Sequence, residues 1–110
     1  MELESRKEKG AVVISVKGRI NAVTAPDLEK SISELMGGEE KFLIVNLGDL
    51  EYISSAGLRV ILATAKKLKA EQGDIMIVGL QGNVKEVFEL SGLYSIFKIF
   101  DNEETAFDQI

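Results

Sequence analysis

Two adjacent serines, Ser54 and Ser55, stand where an apolar stretch gives way to a helical pattern, in the run Asp49-Leu50-Glu51-Tyr52-Ile53-Ser54-Ser55-Ala56-Gly57-Leu58-Arg59. A hydroxyl at a helix start does one of two things. It accepts a hydrogen bond from a free N–H of the first turn, or, carrying a phosphoryl group, it sets negative charge against those N–H groups and the positive end of the helix dipole. Spacing alone leaves both open. Other chemistry is excluded more firmly. The chain has neither Cys nor His, which removes thiolate nucleophiles, disulfides, Cys-type zinc sites and the commonest general base. No Gly-rich stretch ends in the Gly-Lys-Ser/Thr of a phosphate-cradling loop. Asp49 alone at a strand end lacks the acidic companions that a Mg²⁺ site needs, and reads as a turn residue. Arg59, Lys66, Lys67 and Lys69 suit a phosphate or an acidic partner as well as a solvated helix face. The residue types therefore predict a binding surface with no catalytic group, cofactor or metal.

The elements that must position the serines follow from periodicity. Leu3 among charged residues reads as an edge strand over residues 2 to 9, turning at Lys9-Gly10 into a strand over Val12–Val16. Gly18–Val23 reads as a loop, and Thr24, Pro26 and Asp27 mark a helix start: a capping hydroxyl, a first-turn proline and a carboxylate near the dipole's positive end. Ala25, Leu28, Ile32, Leu35 and Met36 share one face, and Gly37-Gly38 ends the helix. Phe42–Leu47 is apolar almost throughout, as for a parallel strand covered on both faces. The helix after Ser55 carries Leu58, Ile61, Leu62, Ala65 and Leu68 at helical spacing and closes at Gly73. Ala56, Val60, Ala63 and Thr64 fall opposite that stripe, an apolar docking patch beside the serine. Gly57 in the first turn marks either close packing or an opening that leaves Ser55 accessible. Ile75–Val78 is a further strand, Asn83 with Glu86 reads as a capping box over Val84, Val87 and Phe88, Ile96–Phe100 is the last strand, and Asn102–Ile110 the last helix.

Strands alternating with helices predict an α/β domain over residues 1–110, a mostly parallel sheet of roughly four or five strands with an antiparallel N-terminal edge strand and about four helices. Functional loops in such sheets gather beyond the strands' C-terminal ends. Asn21, Ser54-Ser55 and Gly79–Gly82 are all expected there. Thirteen basic against 18 acidic residues, net −5, disfavour nucleic acid as a partner. The charged N-terminus and the lack of a long apolar run predict no membrane span and a cytoplasmic protein.

The run through Ser54-Ser55-Ala56-Gly57-Leu58 resembles the signature of the STAS domain of bacterial anti-anti-sigma factors, typically Asp-Ser-Ser-Gly-Leu or Asp-Ser-Thr-Gly-Leu. The resemblance extends to Gly18-Arg19-Ile20-Asn21 with Ala25, similar to the family's Gly-Glu-Leu-Asp segment, and to Ser91-Gly92-Leu93. Aligned on Gly57-Leu58, it implies that Ser55 is the phosphorylated residue. Asn21 and Ser54 stand where members of the family usually carry Asp. The resemblance implies an anti-sigma factor antagonist, not an enzyme, whose partners are an anti-sigma factor serine kinase and a phosphoserine phosphatase. The expected contact residues are Asn21, Ser54, Ala56, Gly57, Arg59, Val60 and Ala63, on a monomer or weak dimer. The alternative is a STAS module that binds a small anionic ligand or sits in a larger signalling assembly, with Ser55 unmodified.

Overall fold

Lys9 and Gly10 both adopt positive φ, 51° and 82°, and this two-residue turn folds β1 (Glu2–Glu8) antiparallel onto β2 (Ala11–Ile20). The computed structural model describes all 110 residues, Met1–Ile110. After β2 come α1 (Ala25–Leu35), β3 (Phe42–Asn46), β4 (Leu50–Ile53), α2 (Ser55–Ala70) and β5 (Asp74–Val78). The chain ends with α3 (Gly82–Leu90), a 3₁₀ turn (Leu93–Ser95), β6 (Lys98–Phe100) and α4 (Glu103–Phe107).

The strands form a six-stranded mixed sheet in the order β1-β2-β3-β5-β6, with β4 beside β2. Only the β1–β2 pair is antiparallel. One strand exceeds the four or five expected. The extra one is β4, four residues with Glu51 exposed, too short and too polar to read as a strand from its sequence. It forms because β2 is longer than its apolar run suggests. Ala11–Ser15 pair with β3, and after a register irregularity at Gly18/Arg19 the strand runs on to pair with β4, where Ile20 opposes Ile53. Gly18 takes φ 85° at that irregularity. The segment from Gly18 to Ile20 is thus strand, not loop, and β4 pairs with β2 alone.

Faces are unequal. α1, α2 and α3 cover one side and share a core of 22 buried residues with the sheet. The other side holds six, Ala11, Val13, Ile44, Met76, Val78 and Ala106, under the short α4. Asn102 caps α4 by accepting from Thr105 N at 2.9 Å, and the helix spans five residues of the expected Asn102–Ile110. Glu103 fastens it: one carboxylate oxygen accepts from Asn46 Nδ2 at 2.8 Å on β3, the other from Arg6 Nη2 on β1. Those donors hold the Glu103 carboxyl below its ordinary pKa.

Two expected caps are not formed. Thr24 precedes α1, but its hydroxyl accepts from Asn21 N instead of a helical N–H. α3 starts one residue before Asn83, with Gln81 at the cap position and its amide spent on Gly48 O. The last strand shortens to Lys98–Phe100, because Leu93–Ser95 winds into the 3₁₀ turn. No helix is long and apolar enough to cross a membrane.

Candidate functional site

Parallel pairing of β2 with β4 brings their C-terminal ends together, and Ser54 is tied to β2 by its own N–H, which donates to Ile20 O at 2.9 Å. Its backbone is extended, φ −88° and ψ 170°, and its Oγ accepts from Gly57 N at 3.2 Å. Ser54 is therefore the N-cap of α2, satisfying one of the free donors of the first turn. Ser55 is the first helical residue and is exposed. Adjacent in sequence, the serines differ in occupation: one hydroxyl holds the helix start, the other faces solvent.

Gly57 explains why the helix starts so close to the strands. It is buried, and a Cβ there would lie 2.6 Å from Ile20 Cγ2 and 2.9 Å from Ile53 Cγ1. Such distances are not sustained without movement, so the first turn of α2 rests directly on the paired isoleucines. Close packing is the reason for the glycine.

This packing turns α2 relative to expectation. Its buried residues are Gly57, Val60, Ile61, Ala65 and Leu68, with Leu58 and Leu62 only half-buried. Val60, expected on the docking face, is 7% exposed and belongs to the core. Gly57 is likewise unavailable to a partner, and Ala56 is half-buried against the core. Leu58 and Leu62 set the apparent phase of the stripe because they carry the hydrophobicity. The point of closest approach, Gly57, carries none. The exposed row of the helix is Ser55, Arg59 and Ala63, at i, i+4 and i+8. Ala63 and Thr64 also border an open groove of about 470 Å³ between α1 and α2, floored by Ile32 and Leu68.

Asn21 follows β2 directly. Its Oδ1 accepts from Val23 N at 2.9 Å and Thr24 N at 3.0 Å, an Asx-type turn that leads the chain into α1. A neutral amide does here what a carboxylate would do with those donors. Beside it Val23 is 81% exposed. Arg19 and Tyr52, opposed in register, stack with the guanidinium 4.4 Å from the ring centroid.

The loop after β5 does not share this level. Ser15 pairs with Asn46 and Ile20 with Ile53, and the span from Ser15 to Ile20 is roughly 16 Å of strand. Gly79 packs against Asn46 and Gly48, and Gln81 bonds Gly48 O, so Gly79–Gly82 knit to the end of β3 instead. Asn21, Ser54 and Ser55 form a separate platform on the β2–β4 extension. No strand signal marked it in the sequence, since Leu50 and Ile53 bracket only Glu51 and Tyr52.

The fold and the platform define a small α/β domain that displays one free serine at a helix start beside a parallel strand pair. The chain belongs to the STAS domain family, whose model matches residues 2–106. It is 39% identical over 106 residues to BtrV of Bordetella bronchiseptica, named as a proposed anti-sigma factor antagonist, covering 96% of this chain and 91% of BtrV. Among solved structures, an anti-sigma factor antagonist from Mycobacterium paratuberculosis superposes with TM-score 0.89 at 28% identity, covering 99% of this chain and 92% of that one. The phosphorylated form of the Bacillus protein SpoIIAA shares the fold, with TM-score 0.77 at 23% identity over 98% of each chain.

Proposed function

We propose that this protein is a cytoplasmic anti-sigma factor antagonist. In this reading its unmodified form binds an anti-sigma factor kinase and so frees a sigma factor, and phosphorylation of Ser55 by that kinase ends the interaction. The observation that carries the reading is the division of labour between the serines. Ser54 is consumed as the cap of α2, while Ser55 is exposed at the head of the row Ser55, Arg59, Ala63. The likeness to BtrV supports the partner class. The protein acts by binding, not catalysis, and a phosphoserine phosphatase restores the binding form.

The mechanism is local. Phosphoserine adds about −1.5 to −2 charges and three acceptor oxygens at neutral pH. At the centre of a contact surface, that charge opposes docking through repulsion and desolvation. The first turn tolerates it, since the dipole favours negative charge there. No refolding is required.

The test is capture of partners from lysate of the source cell with the folded protein as bait, then incubation of the captured kinase with ATP and mapping of the phosphate. Phosphate on Ser55, with loss of binding, is the expected result. Phosphate on Ser54, or an unmodified protein that captures no kinase, overturns the reading. A second reading is a STAS module for a small anionic ligand or a larger assembly. It is favoured by Asn21 and Ser54, neutral residues whose bonds are all structural.

A further inference from the structure

We propose that Arg59 is the counter-ion of the phosphate on Ser55, the modified serine and the guanidinium closing an ion pair across the first turn of α2. The inference rests on Ser55 as the modified residue and names the group that receives the modification.

Geometry sets the pair. Ser55 and Arg59 are both exposed and lie four residues apart in one helix. Helical side chains lean toward the N-terminus, so a long residue at i+4 covers the surface above the preceding turn, which here carries Ser55. An anion placed N-terminal to a cation at this spacing is the favoured order, in agreement with the helix dipole. Arginine's planar fork matches two phosphate oxygens at once.

The guanidinium is also uncommitted. The ion pairs of the protein use Arg6, Lys7, Lys17 and Lys98 as their cations, and Arg59 takes part in none. The first turn of α2 has no acidic residue. Residues three and four positions away on either side of Arg59 are Ser55, Ala56, Leu62 and Ala63, so no carboxylate on its own helix competes. Ser54 and Asn21, the polar residues that follow β4 and β2, are neutral and already bonded to backbone N–H groups.

One modification then changes the surface twice. It adds the phosphate's charge and withdraws the cation that the unmodified row offers to an acidic patch on the partner. In the unmodified protein Arg59 is a free donor fork beside Ser55. In the phosphorylated protein that fork is occupied.

The experiment encodes phosphoserine directly at position 55, so no kinase is needed, and follows the second phosphate ionisation by ³¹P NMR. The expected pKa in the otherwise wild-type chain is lower than in Arg59→Ala by roughly 0.15 to 0.4. Arg59→Lys should recover part of the difference, and Lys66→Ala, further along the same helix, should leave it unchanged. At 1 M salt, where the screening length is about 3 Å, the difference should shrink. Equal titrations for wild type and Arg59→Ala, or an equal shift from Lys66→Ala, overturn the pairing. Urea unfolding of the unmodified variants establishes that each is folded. Failure of the kinase reading is distinguishable, because it appears as absent phosphate on Ser55 in the capture experiment while this titration keeps its own outcome.

Discussion

Gly57 and Ile20 approach so closely that a methyl group on Gly57 would stand 2.6 Å from Ile20 Cγ2. Alanine is intrinsically the better helix former by up to about 1 kcal/mol, yet the added carbon must displace a buried isoleucine that is paired to β4. Gly57→Ala should therefore destabilise by about 1 to 3 kcal/mol, read from urea unfolding. A stabilised variant would show that the helix start does not rest on the isoleucines.

The two serines should separate by assay. Ser54→Ala removes the acceptor of Gly57 N and should cost about 0.5 to 2 kcal/mol. Ser55→Ala, at an exposed position, should stay within about 0.5 kcal/mol. On the proposed function, Ser55→Ala still captures the kinase and takes up no phosphate, whereas Ser55→Asp folds and binds weakly. Equal stability losses for the two alanine variants would contradict the assigned cap.

Along α2, truncation costs should follow burial, not hydrophobic pattern. Ile61→Ala, at a position 1% exposed, should cost about 2 to 5 kcal/mol. Leu62→Ala, half-buried on the flank of the stripe, should cost clearly less, about 1 to 2 kcal/mol. Comparison of denaturation midpoints at equal slope gives the order.

Acid should loosen the attachment of α4. Arg6, the larger influence, and Asn46 hold the Glu103 carboxyl below its ordinary value. A carboxyl with a lowered folded pKa contributes stability that is fully present above its unfolded pKa, about 4.3, and is lost as pH falls through the folded value. Arg6 is nearly half-exposed, so the contribution is small, under about 1 kcal/mol. Glu103→Gln should be less stable than wild type at pH 7, and the gap should close by pH 3. A gap independent of pH would assign the effect to packing.

The strands β2, β3 and β5 were legible because buried strands are written as continuous apolar, mostly β-branched runs, as in Val12–Val16, Phe42–Leu47 and Ile75–Val78. β4 was not, since two of its four residues, Glu51 and Tyr52, face away from the core and the remaining pair is too short to show alternation. The serines were located by their place between an apolar run and a helical pattern, and the family resemblance singled out Ser55; the hydrogen bond from Gly57 N to Ser54 Oγ adds which of the two caps α2. The docking face was misphased for a different reason. Hydrophobicity marks how much apolar surface a residue brings, while Gly57 shows where the backbone comes nearest, and only coordinates reveal the second.

β4 is bonded along one edge only, to the distal part of β2 beyond the irregularity at Gly18 and Arg19. The ladders β2–β3 and β3–β5 have neighbours on both sides. Amide hydrogens of Leu50–Ile53 should thus exchange with deuterium sooner than those of Leu43–Val45, because parting four residues from a single neighbour breaks fewer bonds than parting the sheet. The serine platform is a cantilever: rooted at Ile20, and quicker to yield under load than the central strands beside it.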